Sequence, residues 1–175
     1  DVLNALKTEF TPVAEKAGLR FAVHPRDVWV KSDSRLLRRI LQNFISNALR
    51  YTRHGGAVVG CRMRGDKIRI EVWDSGPGIP EDKLKIIFRE FHRLEGPETT
   101  DVKGLGLGLA IVERLGRSLD HTVSVRSRPG RGTVFSVDVP IGIVDEAAMP
   151  KPRRRMAGEL GGLRVLCLDN EPDIL

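Results

Sequence analysis

Asn43 and Asn47 stand four residues apart and Arg50 three further on, a spacing that turns all three to one polar face if the stretch is helical. An asparagine offers a neutral carbonyl oxygen, which suits a hard cation such as Mg2+ already ligated by phosphate oxygens. Arg50 is the kind of residue that neutralises such phosphates. An ordinary solvated helix face would present the same residues, so this group points to chemistry only in company with others.

Asp74-Ser75-Gly76-Pro77-Gly78-Ile79-Pro80 forms a second group. Just before it, Ile68, Ile70 and Val72 alternate with Arg69, Glu71 and Trp73, so Asp74 continues the inward-facing series of a strand. A carboxylate aimed at a core is costly unless something donates a hydrogen bond to it. The exocyclic amine of a base such as adenine would do so, and Gly76 and Gly78 would let a flat ring approach the backbone. A turn in which Asp74 bonds its own backbone is the equal alternative.

The third group is Lys103-Gly104-Leu105-Gly106-Leu107-Gly108-Leu109, which opens a helical stretch. Glycines two apart expose N–H groups near a helix N-terminus, a favourable place for phosphate. The pattern is not the dinucleotide fingerprint, and it lacks the Lys-Ser/Thr pair of a Walker loop.

Periodicity supplies the elements that must hold these groups. Val2, Leu3, Leu6, Phe10, Val13 and Ala14 share one stripe of a helix over 2–17, which Gly18 stops. Short strands fit 19–23 and 28–30. Ser32 or Asp33 caps a helix running to Tyr51, with Leu36, Leu37, Ile40, Leu41, Phe44, Ile45 and Ala48 on its apolar face. A hairpin is expected over 57–63 and 68–73, a helix over 80–91, a helix through Ala110, Ile111, Val112 and Leu115, and a second hairpin over 123–126 and 133–139. Residues 94–103 are polar and are expected to be mobile. Helices mixed with antiparallel hairpins predict an α+β two-layer sandwich, helices on one face of the sheet.

Composition narrows the rest. The chain has 175 residues, 41% of them hydrophobic, enough for one full domain over 1–144. Residues 145–162, with Pro150 and Pro152, read as a linker, and 163–175 begin something new. Cys61 and Cys167 are far apart and suggest neither a disulfide framework nor a zinc site, which fits a reducing, cytoplasmic setting. No apolar run approaches membrane-spanning length, so no membrane contact is expected. The net charge of +6 allows anionic partners. With few aromatics and no groove-reading motif, nucleic acid is not expected among them.

Taken together and in order, the motifs resemble the N, G1, F and G2 boxes of bacterial histidine protein kinases. Asn43 to Thr52 matches the N box, Asp74 to Gly78 the G1 box, Phe88 and Phe91 the F box, and Gly104 to Gly108 the G2 box. The resemblance covers about residues 1–140 and implies the Bergerat ATP-binding fold. It implies Asn47 as the Mg2+ ligand with Asn43 nearby, Arg50 on phosphate, Tyr51 packed near adenine and Asp74 on the adenine amine. Arg93 and Lys103 would bound the ATP lid as phosphate contacts. Gly76, Gly78, Ile79, Gly104, Leu105, Gly106, Leu107, Gly108 and Leu109 would complete the ATP site. Gly130, Gly132 and Thr133 resemble the family's final strand, whose hydroxyl lies near the G1 aspartate. Leu105 departs from the pattern, since many members carry Thr or Ser there.

The resemblance also implies what the chain does and what it lacks. It would bind Mg2+ and ATP and donate the γ-phosphate to a histidine on a separate dimerisation and phosphoacceptor domain, expected before Asp1. His24, His54, His92 and His121 lack the acidic neighbour of an acceptor histidine. In the gyrase, mismatch-repair and chaperone branches a Glu four residues before the Mg2+ asparagine activates water; Asn43 occupies that place here and cannot act as a base. Val165-Leu166-Cys167-Leu168-Asp169-Asn170-Glu171-Pro172 resembles the first strand and acidic corner of a receiver domain, implying a hybrid kinase. The expected partners are that acceptor domain and a receiver or response regulator. This chain should be a monomer and the full protein a homodimer. The competing readings are a hydrolysing ATPase of the same fold and a non-catalytic nucleotide-binding module.

Overall fold

A computed structural model describes residues 2–91 and 106–142. In chain order the elements are α1 (Val2–Lys16), β1 (Arg20–His24), α2 (Ser34–Tyr51), β2 (Gly56–Arg64), β3 (Lys67–Asp74), α3 (Gly108–Ser118), β4 (Thr122–Arg128) and β5 (Gly132–Pro140).

Asp33 starts α2. Its carboxylate accepts from the N–H groups of Leu36 (2.9 Å) and Arg35 (2.8 Å), satisfying two amides that a helix start leaves without intrahelical partners. The same bonds, Leu36 first, hold its carboxyl below the ordinary carboxylate value. From there Leu37, Ile40, Leu41, Phe44, Ile45, Ala48 and Leu49 are buried, the helical stripe the sequence predicts. Phe44 stacks on Phe135 of β5 at 5.2 Å between centroids, which fixes α2 against the middle of the sheet. Thr52 leaves the helix in an extended conformation.

The sheet has the order β1-β2-β3-β5-β4, with β1 and β2 parallel and every other pair antiparallel. Registers place Val59, Val72, Phe135 and Val125 on the helix side, and α1, α2 and α3 all contact the sheet. This is the expected two-layer sandwich. On the opposite face Glu71 is held between Arg62 (3.0 Å) and Arg126 (3.2 Å), and Arg69 grips Asp138 with two 2.6 Å bonds. Arg126 also lies 5.9 Å from the ring centre of Trp73.

Three local expectations are corrected. Residues 80–91 do not form an α-helix: a 3-10 turn at Glu81–Lys83 is followed by further turns. The N–H groups of Lys83, Leu84, Ile86 and Arg89 reach back three residues, and that of Ile87 reaches back four, to Lys83. Pro80 gives the segment no side-chain cap, and the tighter winding delivers Ile87 into the core and Phe88 against it. Residues 28–30 are not a strand; after Pro25, which has no N–H to pair, a single bridge joins Val30 to Ile141. Val13 on α1 is half exposed, because the buried line runs through Leu6, Phe10 and Ala14, four apart. The expected linker over 145–162 and receiver start over 163–175 lie outside the described residues.

Candidate functional site

Asp74 ends β3 at the edge of the core. Its Oδ1 accepts from the N–H of Gly76 (2.9 Å) and from the N–H of Thr133 on β5 (3.1 Å). Both alternatives weighed for this residue are therefore present in part: the carboxylate closes its own turn through Gly76 and is also inward and half-buried. Burial pushes its carboxyl above the ordinary value, against the downward pull of the two N–H bonds. Oδ2 has no partner among the described residues, so one oxygen of a half-buried carboxylate is free to receive a donor.

The backbone around Asp74 is drawn in closely. A Cβ on Gly76 would stand 2.9 Å from Asp74 Oδ1, 3.1 Å from the Tyr51 carbonyl oxygen and 3.3 Å from Thr52 Oγ1. Gly132 has φ +97°, and a Cβ there would overlap the Asp74 carbonyl oxygen. Ser127 stitches the loop to the β4–β5 hairpin: its Oγ donates to the Gly132 carbonyl at 2.9 Å, meets Thr133 Oγ1 at 2.9 Å and accepts from the Ile79 N–H at 2.7 Å. It is thus the Thr133 amide, not its hydroxyl, that bonds Asp74. Ser75 pins the other side, accepting from the Gly56 N–H (3.0 Å) and donating to the His54 carbonyl (3.0 Å).

Along α2 the two asparagines differ. Asn43 donates from Nδ2 to the Arg39 carbonyl (2.8 Å), and its Oδ1 lies against the start of α3, where a Cβ on Gly108 would come within 2.6 Å. Asn47, one turn nearer Asp74, is half-buried, and its amide has no partner among the described residues. Arg50 is exposed and Tyr51 half-buried. The N-terminus of α3 follows Gly106 at φ +70°, has Leu107 at its cap position without a side-chain cap bond, and seats Leu109 against the core. Its first amides therefore lack intrahelical partners and a side-chain cap from Leu107.

The structure thus brings Tyr51, Asp74, Gly76 and Thr133 together at the end of β3 and Asn43 against Gly108 at the start of α3, with Asn47 on α2 between Asn43 and Tyr51, while Gly78 and Ile79 lie against the β4–β5 hairpin. Arg93, Lys103, Gly104 and Leu105 lie outside the described residues. Sequence reasoning missed Ser127 and gave Thr52, the last residue of the N box, no role of its own. Ser127 had a readable signal: Val123 and Val125 alternate toward the helices, and Ser127 breaks that series opposite Thr133. That the Thr52 hydroxyl is buried, with no partner among the described residues, is seen only in the structure. No cluster of three or more His, Cys, Asp or Glu suited to a metal occurs among the described residues.

Residues 32–143 match the family described as histidine kinase-, DNA gyrase B-, and HSP90-like ATPase. Sensor histidine kinase AtsR of Burkholderia thailandensis is 35% identical over 154 residues, 86% of this chain and 25% of that protein. The full-length structure of ShkA in complex with AMPPNP superposes with a TM-score of 0.72 at 32% identity, covering 82% of this chain and 30% of that one. The nucleotide-free catalytic domain of histidine kinase ThkA gives a TM-score of 0.67 at 25% identity over 79% of this chain and 90% of that one. The chain spans a quarter or less of the curated relatives' length.

Proposed function

The chain belongs to the histidine kinase-, DNA gyrase B- and HSP90-like ATPase family, and from that premise we propose that it binds Mg-ATP at Asp74 and donates the γ-phosphate to a histidine on a separate dimerisation and phosphoacceptor domain. The observation that carries this reading is the half-buried Asp74 carboxylate, with Oδ1 satisfied by two amides and Oδ2 without a partner among the described residues. Oδ2 accepts the adenine amine, and Gly76 lets the ring lie against the backbone.

Two Asn side chains, with no carboxylate cluster among the described residues, fit a cation that arrives already bound to phosphate. Asn47 gives that Mg2+ a carbonyl oxygen, Arg50 neutralises phosphate, and the uncapped start of α3 presents amides to the same charge. Held there by Asn47, Mg2+ would supply charge neutralisation to the phosphates. Arg93 and Lys103 are proposed as further phosphate contacts. In the transfer an acceptor imidazole nitrogen forms a bond to γ-phosphorus, the bond to the bridging oxygen breaks, and ADP leaves with that electron pair. Catalysis by this chain is positioning and charge neutralisation. Asn43, tied to the Arg39 carbonyl, offers no base to activate water. The chain is proposed to act as a monomer beside the acceptor domain, with a receiver or response regulator as the next phosphate carrier.

The test supplies γ-labelled ATP to the chain alone and with a helical phosphoacceptor domain added in trans. The expected outcome is acid-labile label on the acceptor domain only, with slow phosphate release. Rapid release indifferent to the acceptor would make this a hydrolysing ATPase; tight binding with neither label nor release would make it a binding module.

A further inference from the structure

The face of the sheet turned away from α1, α2 and α3 carries one row of apolar side chains. Ala22, Val58, Trp73 and Val134 stand side by side on β1, β2, β3 and β5, and Arg126 of β4 closes the row. Trp73 is 44% exposed and Val58 41%, although cross-strand apolar neighbours ordinarily cover each other. Ala22, Val58 and Trp73 line a groove of about 480 Å3 together with Arg20 and Arg131. Gly60, further along β2 on the same face, has open space where a side chain would stand. Charge on this face is unbalanced. Its two strand carboxylates are already engaged, Glu71 between Arg62 and Arg126, and Asp138 on Arg69. Arg20, Arg128 and Arg131 are exposed and form no ion pair among the described residues.

We propose that this face docks an acidic segment of a partner protein, one apolar side chain of which lies on Trp73 and Val58 while flanking carboxylates pair with Arg20 and Arg131. Guanidinium forks match carboxylates in two-pronged contacts, and Trp and Arg are the side chains that most often dominate binding at interfaces. Arg126, held by Glu71, lies 5.9 Å from the Trp73 ring centre and steadies the ring. A second copy of this chain would bring the same positive charge and be repelled. Single-stranded nucleic acid stacks its bases on successive aromatics, whereas Trp73 is the one aromatic in the row. A bilayer is flat and would meet only the rim of a groove. Trp73 and Asp74 are consecutive in β3 and point to opposite faces of the sheet, so the partner would sit behind the candidate nucleotide site without covering it. Nothing in this contact depends on what Asp74 binds.

The test selects a random peptide library on the immobilised chain. Enriched peptides, an oligothymidylate and phosphatidylglycerol vesicles are then titrated against wild type, Trp73→Ala and the double variant Arg20→Glu, Arg131→Glu. Enriched peptides are expected to carry Asp or Glu around one large apolar residue and to bind Trp73→Ala about tenfold more weakly. The double variant should also lose about tenfold and should instead prefer the same peptides with Lys in place of the acids. Arg20 and Arg131 are exposed, so this reversal leaves the fold intact, and if Trp73→Ala melts lower than wild type the double variant decides. No enrichment, peptides without acidic residues, or an affinity that the double variant leaves unchanged would overturn the proposal. Tighter binding of the oligothymidylate or the vesicles, lost in the same variants, would assign the face to nucleic acid or membrane and overturn it as well.

Discussion

Asp74 sets a cost against a use. Its carboxyl is raised by burial, so folding favours the protonated form; its contribution to stability is present below the unfolded carboxylate value and lost as pH rises through the higher folded one. At neutral pH the ligand-free protein therefore carries the charged group at a penalty. Asp74→Asn keeps the oxygen that accepts the two amides and removes the charge. It should raise the melting temperature at pH 7 while abolishing nucleotide binding, and a lower melting temperature would refute the account. Asp138 behaves oppositely: hydrogen bonding from Arg69 holds its carboxyl low, so its stabilisation is full above the unfolded value and lost as pH falls through the folded one. Glycines mark the other limit of the site. Gly132→Ala would put a methyl into the Asp74 carbonyl at a backbone φ of +97°, and a loss of about 3 kcal/mol or more in denaturant unfolding is expected.

At the scale of elements, α2 is the beam on which the site hangs: one face holds Asn43, Asn47 and Arg50, the other seats Phe44 on Phe135. Phe44→Ala should cost about 3–5 kcal/mol of stability by removing a buried ring, as read by chemical denaturation. The α3–β4 turn is tied ahead of α2 by a 2.8 Å contact between His121 Nε2 and Ser32 Oγ. Burial lowers the His121 value, so its stabilising effect is full above the ordinary imidazole value and fades as pH falls through the folded one. Acidification from pH 7 to 5 should lower the melting temperature of wild type more than that of His121→Gln. Much of this was legible in the sequence, because α2, α3 and both hairpins carry clean periods of 3.6 or 2. Residues 80–91 were misread for a physical reason: Leu84, Ile87 and Phe88 fit a helical stripe, yet a run opened by Pro80 without a cap winds mostly in three-residue steps. The site followed the same division. Residue types and spacing pointed to Asp74, Asn47 and the glycines, whereas the part played by Ser127 depends on a hydrogen bond from the distant Ile79 N–H.

For the molecule as a whole, the described residues form one sheet with its helices on one side, and among them no helix is long and apolar enough to cross a membrane. A ligand that binds only the folded state must stabilise it by mass action, about 2.7 kcal/mol at a hundredfold excess over Kd. Saturating Mg-ATP should therefore raise the melting temperature of wild type by a few degrees and leave Asp74→Asn unmoved. The most direct test of the central claim is calorimetric titration of the chain with a non-hydrolysable ATP analogue, with and without Mg2+, for wild type, Asp74→Asn and Asn47→Ala. The account predicts binding by wild type, none by Asp74→Asn, and binding by Asn47→Ala that no longer depends on Mg2+; nucleotide affinity unchanged by Asp74→Asn would contradict it.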